Sequence, residues 1–126
     1  MLFIPNGNCF MNIEDARIYC LSKLGATEDF PFDETTLAFR VENKIFAITD
    51  LENTGWFCVK CDADYAIELR DRYSQIVPAW HMNKRYWNQL DIERLDDGLF
   101  YSLVDHSYNE VLKKLPKKIR IKYGLE

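Results

Sequence analysis

The pattern that most constrains this chain is the pair of alternating segments on either side of Glu42-Asn43. Leu37, Phe39 and Val41 alternate with Ala38 and Arg40, and Phe46 and Ile48 follow Lys44 at the same spacing. Successive strand side chains point to opposite faces, so alternation of this kind makes a half-buried strand. With Glu42-Asn43 as a two-residue turn, Val41 faces Lys44, Phe39 faces Phe46 and Leu37 faces Ile48. The apolar residues of both strands then share one face, and Thr36, Ala38 and Arg40 take the other. A hairpin with one apolar face must bury it, which calls for a covering layer.

Helices supply that layer. Asn12 can cap a first helix with Asp15 at its third position, and Ile13, Ala16, Cys20 and Leu24 recur at helical spacing before Gly25. Gly25 to Glu34 reads as a loop. Asn53-Thr54-Gly55 turns the chain into a third strand, Trp56 to Cys61, with Phe57, Val59 and Cys61 inward. Asp62 caps a second helix through Tyr73, with Ala66, Leu69 and Tyr73 on its inner side. Val77 to His81 and Tyr86 to Ile92 read as two more strands. Asp96-Asp97-Gly98 opens a third helix with a broad apolar stripe from Leu99 to Leu115, and Pro116 stops it or begins a short last helix. Hairpin connections dominate, so the expected fold class is α+β: a two-layer sandwich, an antiparallel sheet with helices packed on one face. Residues 1–10 read as an N-terminal extension and 11–126 as a single domain, since the first capping signal lies at Asn12.

The formal net charge is −4, whereas dedicated nucleic-acid binders are usually basic. The charge is uneven. Residues 1–79 carry seven basic and thirteen acidic side chains, and residues 80–126 carry nine and seven. Between 113 and 122, six of ten residues are Lys or Arg. Such a run is either a local basic patch or a solvated helix end whose cations oppose the dipole. No apolar run is long enough to span a membrane, and Leu2-Phe3-Ile4 is cut short by Pro5. A cytoplasmic protein is expected, with its four cysteines reduced.

Several residue clusters resemble catalytic or metal motifs but have the wrong geometry. Cys58 and Cys61 have Cys-x-x-Cys spacing but lie in a strand, where an offset of three sends them to opposite faces. Asp105-His106-Ser107 holds the residue types of a hydrolase triad, yet consecutive helical side chains diverge and cannot act on one another. Glu28, Asp29, Asp33 and Glu34 could hold a hard cation, but without the regular spacing of an ion loop. There is no glycine-rich phosphate loop and no activated nucleophile, so neither an enzyme nor a cofactor is expected.

The stretch richest in recognition chemistry is His81-Met82-Asn83-Lys84-Arg85-Tyr86-Trp87-Asn88-Gln89-Leu90. Alternation places Arg85, Trp87 and Gln89 on the face opposite Tyr86, Leu90 and Ile92. An outward Trp beside Arg suits base stacking; the other reading has Trp87 filling a secondary core. His81 either orients the turn at Met82-Asn83 or contacts a ligand. With Asn12-Ile13-Glu14-Asp15, Val59-Lys60-Cys61-Asp62, Val104-Asp105-His106-Ser107-Tyr108 and Leu115-Pro116-Lys117-Lys118, this run resembles the MmcQ/YjbR family over residues 11–120. The resemblance implies a CyaY-like fold, which frataxins share, and a DNA-binding role. Read from residue type and strand alternation, the candidate nucleic-acid contacts are His81, Asn83, Lys84, Arg85, Trp87, Gln89, Lys117, Lys118 and Arg120. The partner would be DNA, held weakly and salt-sensitively. The alternatives are a small-molecule or protein-interaction module using the same aromatic and basic surface, or weak metal binding.

Overall fold

Glu42 and Asn43 both adopt positive φ, 50° and 67°, the backbone of a type I′ hairpin turn. They join β2 (Thr36–Val41) to β3 (Lys44–Asp50) in a computed structural model of the chain, which describes residues 11–125. The expected extension, residues 1–10, lies outside the described residues. The remaining elements are α1 (Ile13–Leu21), β1 (Thr27–Asp29), β4 (Trp56–Lys60), α2 (Ala63–Arg72), β5 (Ile76–Pro78), β6 (Trp87–Asp91), α3 (Asp97–Leu112) and α4 (Lys117–Arg120). All strand pairs are antiparallel, and the six strands run in the order β1-β2-β3-β4-β6-β5. The helices pack on one face, giving the α+β two-layer arrangement.

The helix starts follow the capping chemistry. Asn12, Asp62 and Asp96 each accept a hydrogen bond from the backbone N–H three residues on. α3 buries Leu103, Val104, Val111 and Leu112 against Phe39, Phe46 and Phe57 of the sheet, and Phe100 meets Phe57 edge-on at 5.3 Å between ring centroids. α1 buries Ala16 and Cys20, but it ends at Leu21, and Leu24 is exposed rather than continuing the apolar stripe.

The hairpin register departs from the alternation at one place. A bulge in β3 leaves Phe46 opposite no residue: Arg40 pairs with Ile45, and Phe39 with Ala47. An inserted residue reverses the facing of everything beyond it. Phe46 and Ala47 are therefore both buried, Leu37 pairs with Thr49 instead of Ile48, and Ile48 turns to the sheet's other face. The expected partners Phe39–Phe46 and Leu37–Ile48 are thus corrected, although Phe39, Phe46 and Leu37 do lie in the core.

Two further elements differ from expectation. The stretch expected as a loop, Gly25 to Glu34, contains the edge strand β1, held by side chains as well as by its ladder: Arg17 forks onto Glu28 at 2.8 and 2.5 Å, and Arg40 reaches Asp29 at 2.9 Å. β5 ends at Pro78 instead of continuing to His81: Ala79 N–H still donates to the Trp87 carbonyl, but the Ala79 carbonyl accepts from Met82 N–H at 3.2 Å, which turns the chain away from β6.

Candidate functional site

Among the described residues, helices cover only one face of the sheet, and the segment 79–86 connects β5 to β6. This segment is tied down at several points. Ala79 N–H donates to the Trp87 carbonyl at 3.2 Å and Cys61 N–H to the Tyr86 carbonyl at 2.7 Å. Asn83 folds the tip: its Oδ1 accepts from Arg85 N–H at 3.0 Å and its carbonyl from Tyr86 N–H at 3.0 Å. Arg70 of α2 donates to the Lys84 carbonyl at 3.1 Å. The anchored backbone leaves His81, Asn83, Lys84 and Arg85 exposed.

The cations sit on aromatic rings. Lys84 Nζ lies 5.2 Å from the Trp80 ring centre, and Arg85 lies 5.5 Å from that of Tyr86. Lys114 reaches the same Tyr86 ring from the end of α3, at 5.3 Å. The C-terminal basic run and the signature loop therefore meet at Tyr86, through Lys114. Lys117 and Lys118 are exposed on α4, while Arg120 spends its guanidinium on the Leu115 carbonyl at 2.6 Å. The 3₁₀ turn after α4 is fastened to the β2–β3 turn, where Tyr123 donates to Glu42 at 2.6 Å.

Alternation in β6 holds as expected. Trp87 and Gln89 face the open side, half-buried, while Asn88 and Leu90 point to the helices. Asn88 has a structural part: its amide donates to the Ala66 carbonyl of α2 at 3.3 Å. Across the open face the registers set three rows. Lys60 pairs with Trp87 in one, Ala38, Ile48, Cys58, Gln89 and Val77 form the middle one, and Thr36 with Asp50 and Trp56 with Asp91 form the third. The face thus runs from a basic end, through an uncharged middle, to an acidic end. Lys60 has its ammonium pushed below the usual lysine range by burial and then by the nearby charges of Lys114 and Lys44, against the pull of Glu110.

A groove of about 670 Å³ opens over the middle and acidic rows. It brings together Trp56, Trp80 and Phe32, which no sequence pattern joined, because their meeting depends on how β4 pairs with β6. Cys58 lies in its floor, where its thiol donates to Gln89 at 3.8 Å and burial pushes its pKa up to about 11. Cys61 lies on the opposite, core side, its pKa pushed up to about 12 by burial and by Asp62 and Glu110.

The remaining motifs hold the fold together. Asp105 takes the Tyr19 hydroxyl at 2.6 Å and pairs with Lys23; His106 Nε2 accepts from Asp62 N–H at 3.1 Å; Ser107 points into the core. These three side chains have separate partners and do not act on one another. Asp33 accepts from the backbone N–H groups of Thr35 and Thr36, which hold its carboxyl below the usual range. Among the described residues no cluster of three or more His, Cys, Asp or Glu is arranged to hold a metal ion. None of their helices is long and apolar enough to cross a membrane.

Fold and face together define a small α+β protein with an open, aromatic sheet surface and a cation-bearing loop at its side. The YjbR family model matches residues 21–110, and the chain belongs to that family. It is 31% identical to the protein YjbR of Escherichia coli K12 over 112 residues, 87% of this chain and 95% of that protein. It is 28% identical to YbdF of Escherichia coli O157:H7 over 91 residues, 71% of this chain and 75% of that one. Among solved structures, Deinococcus radiodurans DR2400, a DUF419 protein, superposes with a TM-score of 0.85 at 29% identity, covering 94% of this chain and 92% of that one. A Pseudomonas syringae protein shares the fold, with a TM-score of 0.67 at 23% identity over 79% of this chain and 98% of that one.

Proposed function

We propose that this protein binds nucleic acid, without catalysing a reaction on it, at the basic end of its sheet, using Lys60 and Trp87 of the open face together with the cations gathered on Tyr86 beside the helix layer. The observation that carries the reading is the meeting of Arg85 and Lys114 on the ring of Tyr86, from segments nearly thirty residues apart. Lys60 and Lys44 add to the same field: the pKa of the Lys60 ammonium is lowered first by burial and then by Lys114 and Lys44, with Glu110 opposing them. Cations held together in this way are relieved by a polyanion, whose phosphates also release counterions on binding. Trp87 lies in register with Lys60 and offers a ring to a base, with Gln89 and Asn83 as polar contacts to base or sugar. Lys84 and His81 of the same loop and the exposed Lys117 and Lys118 are further candidate contacts, whereas Arg120 is committed to the Leu115 carbonyl. The acidic remainder of the chain limits the number of phosphates engaged, so affinity for non-specific sequence is on the order of 10⁻⁴–10⁻⁶ M. Fluorescence anisotropy with labelled single- and double-stranded oligonucleotides at low salt tests the reading. Binding of either form, abolished by high salt, supports it; none at high protein concentration defeats it.

A further inference from the structure

At the other end of the face the chemistry reverses. Extending the β3–β4 register one step past Thr49 and Phe57 sets Asp50 beside Trp56, and Asp91 of β6 flanks Trp56 on its other side. The groove there has aromatic walls, Trp56 from β4, Trp80 from the signature loop and Phe32 from the β1–β2 connection. Its floor is Ile48, Cys58 and Gln89, and among the described residues Asp50 is the one carboxylate that lines it. Trp80 and Phe32 are 62% and 67% exposed, a large apolar area to leave in water if packing were its only purpose. The volume of about 670 Å³ lies within the range of small-molecule sites.

Charge selects the occupant. An anion entering this end would meet Asp50; Asp91, next to Trp56, is already paired with Arg94 at 3.2 Å and lies outside the lining. A cation would gain the carboxylate and the negative faces of the rings, and a flat one would also stack. Trp80 already receives a cation of this chain, the Lys84 ammonium at 5.2 Å, so the wall has a surface that attracts positive charge. Lys84 is exposed and flexible enough to yield that place. His81 lines the rim on the same side.

We propose that this groove is a binding site for a planar aromatic cation, stacked on Trp56 and paired with Asp50. Its rings and its carboxylate, Trp56, Trp80, Phe32 and Asp50, lie outside the nucleic-acid reading, with which it shares Gln89, His81 and Lys84 at the margin, and it stands whether or not that reading holds.

The test is a fluorescence titration of nucleic-acid-free protein with proflavine, a flat cationic probe, beside anilinonaphthalene sulfonate, an aromatic anion. Saturable binding of proflavine is expected, with the anion bound far more weakly. Asp50→Asn should weaken proflavine about tenfold, the scale of one lost charge contact. Trp56→Leu should weaken it further, and Arg85→Ala with Lys114→Ala should leave it unchanged. Bound proflavine should also slow alkylation of Cys58 by iodoacetamide, a readout that needs no variant. Proflavine failing to saturate, equal binding of the anion, an undiminished Asp50→Asn, or Cys58 alkylated at the same rate with and without proflavine would each overturn the proposal.

Discussion

The Ser107 hydroxyl donates to the Phe46 carbonyl at 2.5 Å while accepting from the Lys60 N–H at 2.8 Å. Phe46 is the residue that the β3 bulge leaves without a ladder partner. One hydroxyl from α3 thus satisfies a strand carbonyl at the bulge and a strand N–H beside it, where the β3–β4 ladder stops at Ala47 and Val59. The neighbouring Tyr108 closes over Phe46 edge-on at 5.5 Å between ring centroids.

Ser107→Ala should therefore be costly for so small a change. A buried backbone group left without a partner costs about 1–3 kcal/mol, so the two together should lower stability by about 2–4 kcal/mol. Urea denaturation measures this, and a loss well under 1 kcal/mol would show that the bulge is satisfied in another way.

Trp87 and Phe57 provide a comparison across the sheet. Phe57 is fully buried between Phe39 and Phe100, and Phe57→Ala should cost about 3–5 kcal/mol. Trp87 is half-buried on the open face, and Trp87→Ala should cost about 1–2 kcal/mol, in proportion to the area it covers. Equal losses in thermal or urea denaturation would place Trp87 in a second core and remove it as a contact.

This contrast also marks how far the sequence could be read. The two-residue turn at Glu42-Asn43, the three helix caps and the outward direction of Trp87 and Gln89 depend on local chemistry and on a period of two, and all were legible. The bulge at Phe46 was not, because what stabilises it is Ser107, 61 residues away. It carries Ile48 from the core to the open face and so helps make the groove. β1 was hidden for a similar reason: Thr27-Glu28-Asp29 has no apolar alternation, and ion pairs to Arg17 and Arg40 hold two of its three residues. Lys60 was legible as an outward residue, but its place beside Trp87 and Lys114 depends on how strands pair and how α3 ends.

The Cys58 thiol should be sluggish at neutral pH. With its pKa at about 11, the thiolate fraction at pH 7.5 is below roughly a thousandth. Alkylation followed by mass spectrometry should accelerate about tenfold per pH unit until near pH 11, since thiolate is the nucleophile. Rapid labelling at pH 7 would mean that the groove floor is far more open than its burial indicates.

Tyr123 couples the C-terminal turn to the hairpin, and its phenol is pushed up to about 12, first by its hydrogen bond to Glu42 and then by burial. A raised folded-state value means that the protonated form stabilises the fold. That contribution is complete below the ordinary tyrosine value near 10 and disappears as pH rises through about 12. Tyr123→Phe should be less stable than the parent at pH 8, and the difference should close between pH 10 and 12. A gap that persists at pH 12 would assign the loss to packing against Gly25, whose backbone lies close to the ring.

The most direct test of the proposed interface is the salt dependence of oligonucleotide affinity for the parent and for Arg85→Ala with Lys114→Ala. Two to four phosphate contacts should give a slope of log affinity against log salt of about −2 to −4, at roughly −0.9 per phosphate on duplex DNA. The double variant should bind more weakly and lose about 0.9 from the slope for each cation removed, with its fold intact by circular dichroism. An unchanged slope in the double variant would contradict the convergence of Arg85 and Lys114 as the phosphate-binding site.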